Sequence, residues 1–269
     1  MHQHKLSLEP LGYSDLGAKR CVEIAARTGF DYVSMVLHAP APILPADTIV
    51  TDARLRRETA AVMKASGIGL LNIECFNMTP EAKLTDFAAG LACGHELGAR
   101  TATAIVMDNA DRADVLAKYR GLCDMAAEMG IRVNVEFFAM APNMNRLELA
   151  VALARDSGRA NAGVTIDVLH LIRTGSSVEA MKAVDQDLIG GCQISDGLLH
   201  VDAKTAAEEG GSDRLVPGTG EFPLRAFLAA LPADIVVGVE VPQARLNGKV
   251  SPEERALTLI EAMCGLYRS

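Results

Sequence analysis

The chain has 269 residues, 49% hydrophobic and 22% charged, with a net charge of -8. That length exceeds an average domain but matches the roughly 250 residues of a closed β/α barrel, and so apolar a chain buries a core without disulfide or metal staples. The acidic balance, spread along the whole chain, opposes a polyanion, whose affinity comes largely from Lys and Arg displacing counterions, so nucleic acid is excluded as a partner.

His2, His4, Lys5 and Glu9 stand where a signal peptide would carry its apolar core, and no run of about 18 apolar residues follows. The sequence therefore argues against export and membrane insertion and for a cytoplasmic protein. Lys5 to Leu8 reads as a first strand, followed by a helix opening at Ser14 or Asp15, both plausible N-caps, and stopping near Gly29. Tyr32 to Val36 is a second strand. After a loop with Pro40, Pro42 and Pro45, Asp52 to Ser66 has helical periodicity and closes on Gly67. Leu70 to Ile73 and Pro80 to Leu97 form the third strand and helix.

The pattern repeats with Thr101 to Val106 and Ala110 to Met129, then Arg132 to Glu136 and Arg146 to Asp156, with Gly130 and Gly158 as helix stops. Gly163 to Ile166 precedes Val178 to Val184. Leu188 to Ile194 precedes a loop rich in charge and Gly, then Leu224 to Leu231. Ile235 to Val239 and Pro252 to Tyr267 complete eight strand and helix pairs. Near-continuous apolar strands alternating with helices indicate a parallel sheet covered on both faces. Eight units in this length predict an α/β fold, a single (β/α)8 barrel over residues 1–269. An open dinucleotide-binding sheet has less support, since no GxGxxG follows the first strand. The six cysteines lack the CxxC spacing of a zinc or redox pair and read as reduced thiols.

Barrel enzymes carry their chemistry at the C-terminal ends of the strands. Strands five to eight end in Val133-Asn-Val-Glu136, Val164-Thr-Ile-Asp167, Cys192-Gln193-Ile-Ser-Asp196 and Val237-Gly-Val-Glu240. Any one such carboxylate could be a solvated loop residue or an ion-pair partner. Three of them and a Gln converging on one mouth, with no Lys or Arg beside them in sequence, call for a positive centre, because an isolated buried ion is costly. One divalent ion held by Glu136, Asp167, Gln193 and Glu240 answers that need. Oxygen ligands suit Mn, Mg or Co, with Zn as an alternative. His170, three residues past Asp167, can face the same mouth, and His38, just past strand two, reads equally as pocket lining or as a loop cap.

The set Glu136, Asp167-x-x-His170, Gln193 with Asp196, Arg214-Leu-Val-Pro-Gly-Thr-Gly-Glu-Phe222 and Glu240 resembles the xylose-isomerase-like barrels, the sugar phosphate isomerase and epimerase group, over nearly the whole chain. The resemblance implies that Glu136, Asp167, Gln193 and Glu240 bind the metal. It also implies that Glu136 and Glu240 act as acid and base, and that His170 and Arg214 bind substrate oxygens; Asp196, part of the same pattern, and His38, by its place after strand two, are the further substrate-site candidates. The implied reaction is proton removal next to a carbonyl of a sugar-like compound, through an enediolate, by an isomerase or epimerase on a small-molecule substrate, and the implied assembly is a homodimer or homotetramer.

Gln at position 193, where ketose epimerases usually carry His, together with Pro217-Gly-Thr-Gly-Glu-Phe222, is similar to the 3-dehydroshikimate dehydratases and makes a dehydratase the alternative. The loop Glu74-Cys-Phe-Asn-Met-Thr79 has no basic residue for a substrate carboxylate, leaving Arg214, Lys204 and Arg245 as candidates. An apurinic-endonuclease-like phosphodiesterase, with its His-rich zinc cluster, fits six histidines and an acidic chain less well. A non-catalytic carbohydrate-binding barrel would not need all three strand-end carboxylates. Phe76, Met107, Phe137, Phe138 and Met140 fall at or beyond strand ends, and lining the mouth or packing above it accounts for them equally.

Overall fold

The computed structural model describes residues 3–38 and 47–268. Its strands are β1 (Leu6–Leu8), β2 (Tyr32–Val36), β3 (Gly69–Asn77), β4 (Thr101–Ile105), β5 (Arg132–Glu136), β6 (Ala162–Asp167), β7 (Ile189–Ile194) and β8 (Val237–Val239). They pair in parallel in chain order, and β8 closes on β1 through Leu6 opposite Val237, Ser7 opposite Gly238 and Leu8 opposite Val239. The expected (β/α)8 barrel is therefore present. Around it run α1 (Ala18–Thr28), α2 (Ala53–Ser66), α3 (Leu84–Glu96), α4 (Arg112–Ala127), α5 (Leu147–Ser157), α6 (Val168–Arg173), α7 (Val178–Lys182), α8 (Ala203–Gly211), α9 (Leu224–Ala230) and α10 (Pro252–Arg268). Among the described residues no helix is long and apolar enough to cross a membrane, and all six cysteines are free thiols.

The outer layer is apolar. Ile24, Phe87, Tyr119 and Phe227 are fully buried, and each large side chain so placed contributes about 1.5–3 kcal/mol. Tyr119 adds a polar tie between α4 and the sheet, its hydroxyl donating to the carbonyls of Val133 (2.8 Å) or Gly163 (3.1 Å).

Several boundaries differ from the sequence reading. The first helix opens at Ala18 rather than at Ser14 or Asp15, because a 3-10 turn over Pro10–Tyr13 intervenes and the carboxylate of Asp47 takes the Ala18 N–H at 2.6 Å. The third helix opens at Leu84, where the N-H of Lys83 donates to Asp86. Strand three continues past Ile73 to Asn77, and strand eight starts two residues late. Helices α6 and α8 occupy stretches read as turn and loop. The Pro-rich loop of residues 40–45 lies outside the described residues.

The barrel interior is polar, with Ser7, Asn72, Thr103, Asn134 and Thr165 all buried. Glycines on the later strands make room for it. A Cβ on Gly163 or Gly190 would collide with Asn134 and Arg132, and one on Gly238 would stand 2.8 Å from the Glu9 carboxyl carbon. Such collisions explain why an otherwise apolar strand such as β7 opens Ile189-Gly-Gly.

Candidate metal centre

Each of the last four strands delivers its expected side chain to the C-terminal mouth. Glu136 ends β5, Asp167 ends β6 and stands opposite Gln193 of β7, and Glu240 follows β8 directly. All four are buried. Asp167 also caps α6, since its Oδ1 accepts the Leu169 N–H at 2.7 Å. A helix starting there puts the third residue on the first turn, above the cap. That residue is His170, whose Nε2 lies 3.9 Å from Asp167 Oδ2 and whose ring packs on Phe138 with centroids 4.7 Å apart. Ligand atoms of Glu136, Asp167 and His170 all lie within 4.8 Å of one another. Burial outweighs the pull of Asp167 and lowers the imidazole pKa to about 4, which keeps it neutral at pH 7.

Two further carboxylates enter from the other side of the barrel, and the sequence reading missed both. Glu9 follows β1, and Glu74 lies within β3, the strand read as ending at Ile73. Glu9 accepts from the Ser34 hydroxyl at 2.9 Å. Glu74 Oε1 accepts from Asn72 Nδ2 at 2.9 Å and from Gln193 Nε2 at 3.3 Å, and the same Gln193 nitrogen donates to Glu240 Oε1 at 3.0 Å. One oxygen from each of Glu9, Glu74 and Glu240 lies within 4.8 Å of the other two. A run of strand-end acids at positions 9 and 74 was the available signal, obscured by Pro10 and by the apolar Cys75-Phe76 that continues β3.

Arg214 joins the two groups. It is 2% exposed, and its Nη1 donates to Asp167 Oδ2 at 2.8 Å and to Glu240 Oε2 at 2.9 Å, while Nε donates to the carbonyl of Glu209 in α8. The substrate contact implied for Arg214 is thus taken up here by two protein carboxylates. Asp196 likewise has another use than the one implied for it. Its carboxylate accepts the backbone N–H groups of Gly197, Gly218, Gly220 and Phe222, folding the Arg214-to-Phe222 loop around itself. His38 stacks on Phe76 with centroids 5.5 Å apart and meets the edge of Phe87 at 4.9 Å, so its ring packs between β3 and α3. Of the other cations considered, Lys204 pairs with Glu208 and Arg245 with Asp213. Met140 is half exposed, whereas Phe76 and Phe137 are wholly buried.

The charge count is lopsided. Five buried carboxyl groups, Glu9, Glu74, Glu136, Asp167 and Glu240, share one buried guanidinium. Burial, reinforced by neighbouring carboxylates, holds Glu74 and Glu136 well above the usual range. Burial pushes Glu240 up to about 8 even against the pull of Arg214. Gln193 Oε1 and both ring nitrogens of His170 are buried and have no hydrogen-bond partner among the described residues. An excess of carboxyl groups over cations, oxygen ligands and unpartnered lone pairs all fit a cation, so the two acidic clusters are consistent with a metal site.

Fold and mouth together define a (β/α)8 barrel whose C-terminal end gathers buried acidic side chains consistent with a metal site. The chain belongs to the xylose isomerase-like TIM barrel family, whose model matches residues 22–264. Among solved structures it is similar to the IOLI protein crystallised with a zinc atom (TM-score 0.80, 20% identity, 97% of each chain covered). It is also similar to D-allulose 3-epimerase from Methylomonas sp. (TM-score 0.73, 16% identity, 99% of each chain). At such identities the likeness is one of fold. A segment of 114 residues, 42% of this chain, is 30% identical to 3-dehydroshikimate dehydratase of Pseudomonas aeruginosa and spans only 18% of that protein's length.

Proposed function

We propose that the protein is a divalent-metal-dependent isomerase or epimerase that moves a proton next to the carbonyl of a sugar-like hydroxy-carbonyl compound. The observation that carries this reading is the excess of buried carboxyl groups over cations at the mouth, five against Arg214 alone among the described residues. Glu136, Asp167, Gln193 and Glu240 would hold the metal, with Mn, Mg or Co suited to their oxygens and Zn an alternative. When bound, a divalent ion supplies charge that polarises a carbonyl and offsets the negative charge developing as the proton leaves. Glu240 and Glu136, on β8 and β5, would take and return that proton. Neutral His170, with both nitrogens unpartnered, can donate to or accept from a substrate hydroxyl.

A second reading, dehydration of a hydroxy-carbonyl acid, is favoured by the segment shared with 3-dehydroshikimate dehydratase. The acidic mouth weighs against it, since a substrate carboxylate would meet Glu74 and Glu9 and find Arg214 already bonded to Asp167 and Glu240. The deciding experiment incubates the Mn-loaded protein in heavy water with uncharged ketoses, cyclic polyol ketones and 3-dehydroshikimate, following deuterium uptake and product by NMR. Deuterium incorporation into an uncharged compound supports the isomerase reading. Formation of the aromatic acid from 3-dehydroshikimate supports the dehydratase, and no exchange with any compound refutes both.

A further inference from the structure

We propose that Glu74 is a positioning residue for Gln193, holding the amide nitrogen so that the amide oxygen is committed to the cation. The inference rests on the reading of Gln193 as a metal ligand. An amide presents two nearly isosteric faces, a carbonyl oxygen that binds a cation and an NH2 group that does not, and a half-turn about its last torsion exchanges them. A Gln ligand therefore needs acceptors placed to claim its nitrogen.

Two acceptors stand there. Gln193 Nε2 donates to Glu74 Oε1 at 3.3 Å and to Glu240 Oε1 at 3.0 Å, and Gln193 Oε1 is left buried without a donor. Glu240 belongs to the proposed ligand set and would turn its oxygens to the cation. Glu74 is the acceptor outside that set. Its own orientation is fixed from behind: Asn72 Nδ2 donates to Glu74 Oε1 at 2.9 Å, and Asn72 Oδ1 accepts from Thr101 Oγ1 at 2.9 Å, so the Asn72 nitrogen faces Glu74. The chain of orientation runs from β4 through β3 to the amide on β7. Partners of this kind set ligand geometry as much as the ligands do.

The test is Mn2+ affinity, measured by calorimetry and by EPR of free ion, in wild type, Glu74→Ala and Glu74→Gln, with apo thermal midpoints as a folding control. Glu74→Gln keeps an acceptor oxygen, because Asn72 still donates to it. We expect Glu74→Ala to weaken Mn2+ binding about 10–100-fold and Glu74→Gln to stay within about threefold of wild type. Equal affinity of Glu74→Ala and wild type overturns the proposal and leaves the metal reading standing. So does a Glu74→Gln as weak as Glu74→Ala, which would make charge rather than orientation the cause. Two ions in wild type and one in Glu74→Ala would make Glu74 itself a ligand, again against the proposal. No Mn2+ binding by wild type overturns the metal reading and this one with it.

Discussion

The mouth has two unlike halves. On the β5 to β8 side, Glu136, Asp167 and Glu240 are offset by Arg214 and accompanied by an unpartnered His170. On the β1 to β3 side, Glu9 and Glu74 are held only by neutral donors, the Ser34 hydroxyl and the Asn72 and Gln193 amides. Hydrogen bonds from neutral groups orient a carboxylate but neutralise none of its charge, so the acids of the first half face a guanidinium and those of the second face only groups that fix their orientation. What the contrast teaches is that equally buried acids in one pocket can have separate uses, decided by what faces them.

Substitutions that act on one half at a time can break this contrast. The largest effect expected is from Glu240→Gln, which removes a ligand charge and a proton acceptor with little change of shape. Proton exchange of the substrate should fall by about 10³-fold or more, given that several kcal/mol of transition-state stabilisation are at stake, with circular dichroism unchanged. A larger loss from Glu9→Gln would reverse the roles assigned to the two halves. Next comes Arg214→Met, which leaves Asp167 and Glu240 buried without their cation. Denaturant unfolding of the metal-free protein should show a loss of about 3–5 kcal/mol, reduced by saturating Mn2+, and an unchanged stability would mean that those carboxyls are already protonated.

A pH series sharpens the comparison further. Glu240, raised from an ordinary 4.5 to about 8, and Glu74 and Glu136, also raised, bind more protons folded than unfolded over that range. Their contribution is fully present below about pH 4.5 and is lost as pH climbs through the folded values. The stability of the metal-free protein should therefore fall between pH 5 and 8, by an amount on the order of a few kcal/mol, read as a falling thermal midpoint, and a divalent ion should flatten the slope. A midpoint that rises over this interval contradicts the assignment. The smallest effect is expected from Glu9→Gln, which removes a buried acid whose own pKa is raised by burial. Metal-free stability at pH 8 should rise by about 1 kcal/mol, the opposite sign from Arg214→Met.

What the sequence revealed follows the same division. Glu136, Asp167 and Glu240 were legible because each closes an apolar run, and Gln193, one residue before the end of β7, was legible as the lone polar side chain of its strand. Glu74 carried the same signal, standing directly after the run read as Leu70 to Ile73, but the apolar Cys75-Phe76 behind it masked a strand that continues to Asn77. Glu9 follows a strand of three residues, too short to show a period. The role of Arg214 depends on a long-range meeting with Asp167 and Glu240 that no local pattern encodes. Asp196 was named through the family resemblance, and the N–H groups of Gly218 and Gly220 on its carboxylate show that it organises a loop, which no local pattern encodes. The eightfold architecture was the easiest to read, since every strand and helix pair repeats the same alternation, whereas the six-residue α6 is shorter than helical periodicity can reveal.

The barrel closes by laying β8 against β1, the last strand against the first. Glu9, which lies over Gly238, and Glu240 therefore belong to opposite ends of the chain and meet only at that seam. Glu9 and Glu74 gain Glu240 as a neighbour only where that seam is closed. The final strand brings both the fifth carboxylate and the demand for a counter-charge in one step. The seam is thus the place where residues from the two ends of the sequence become one acidic cluster.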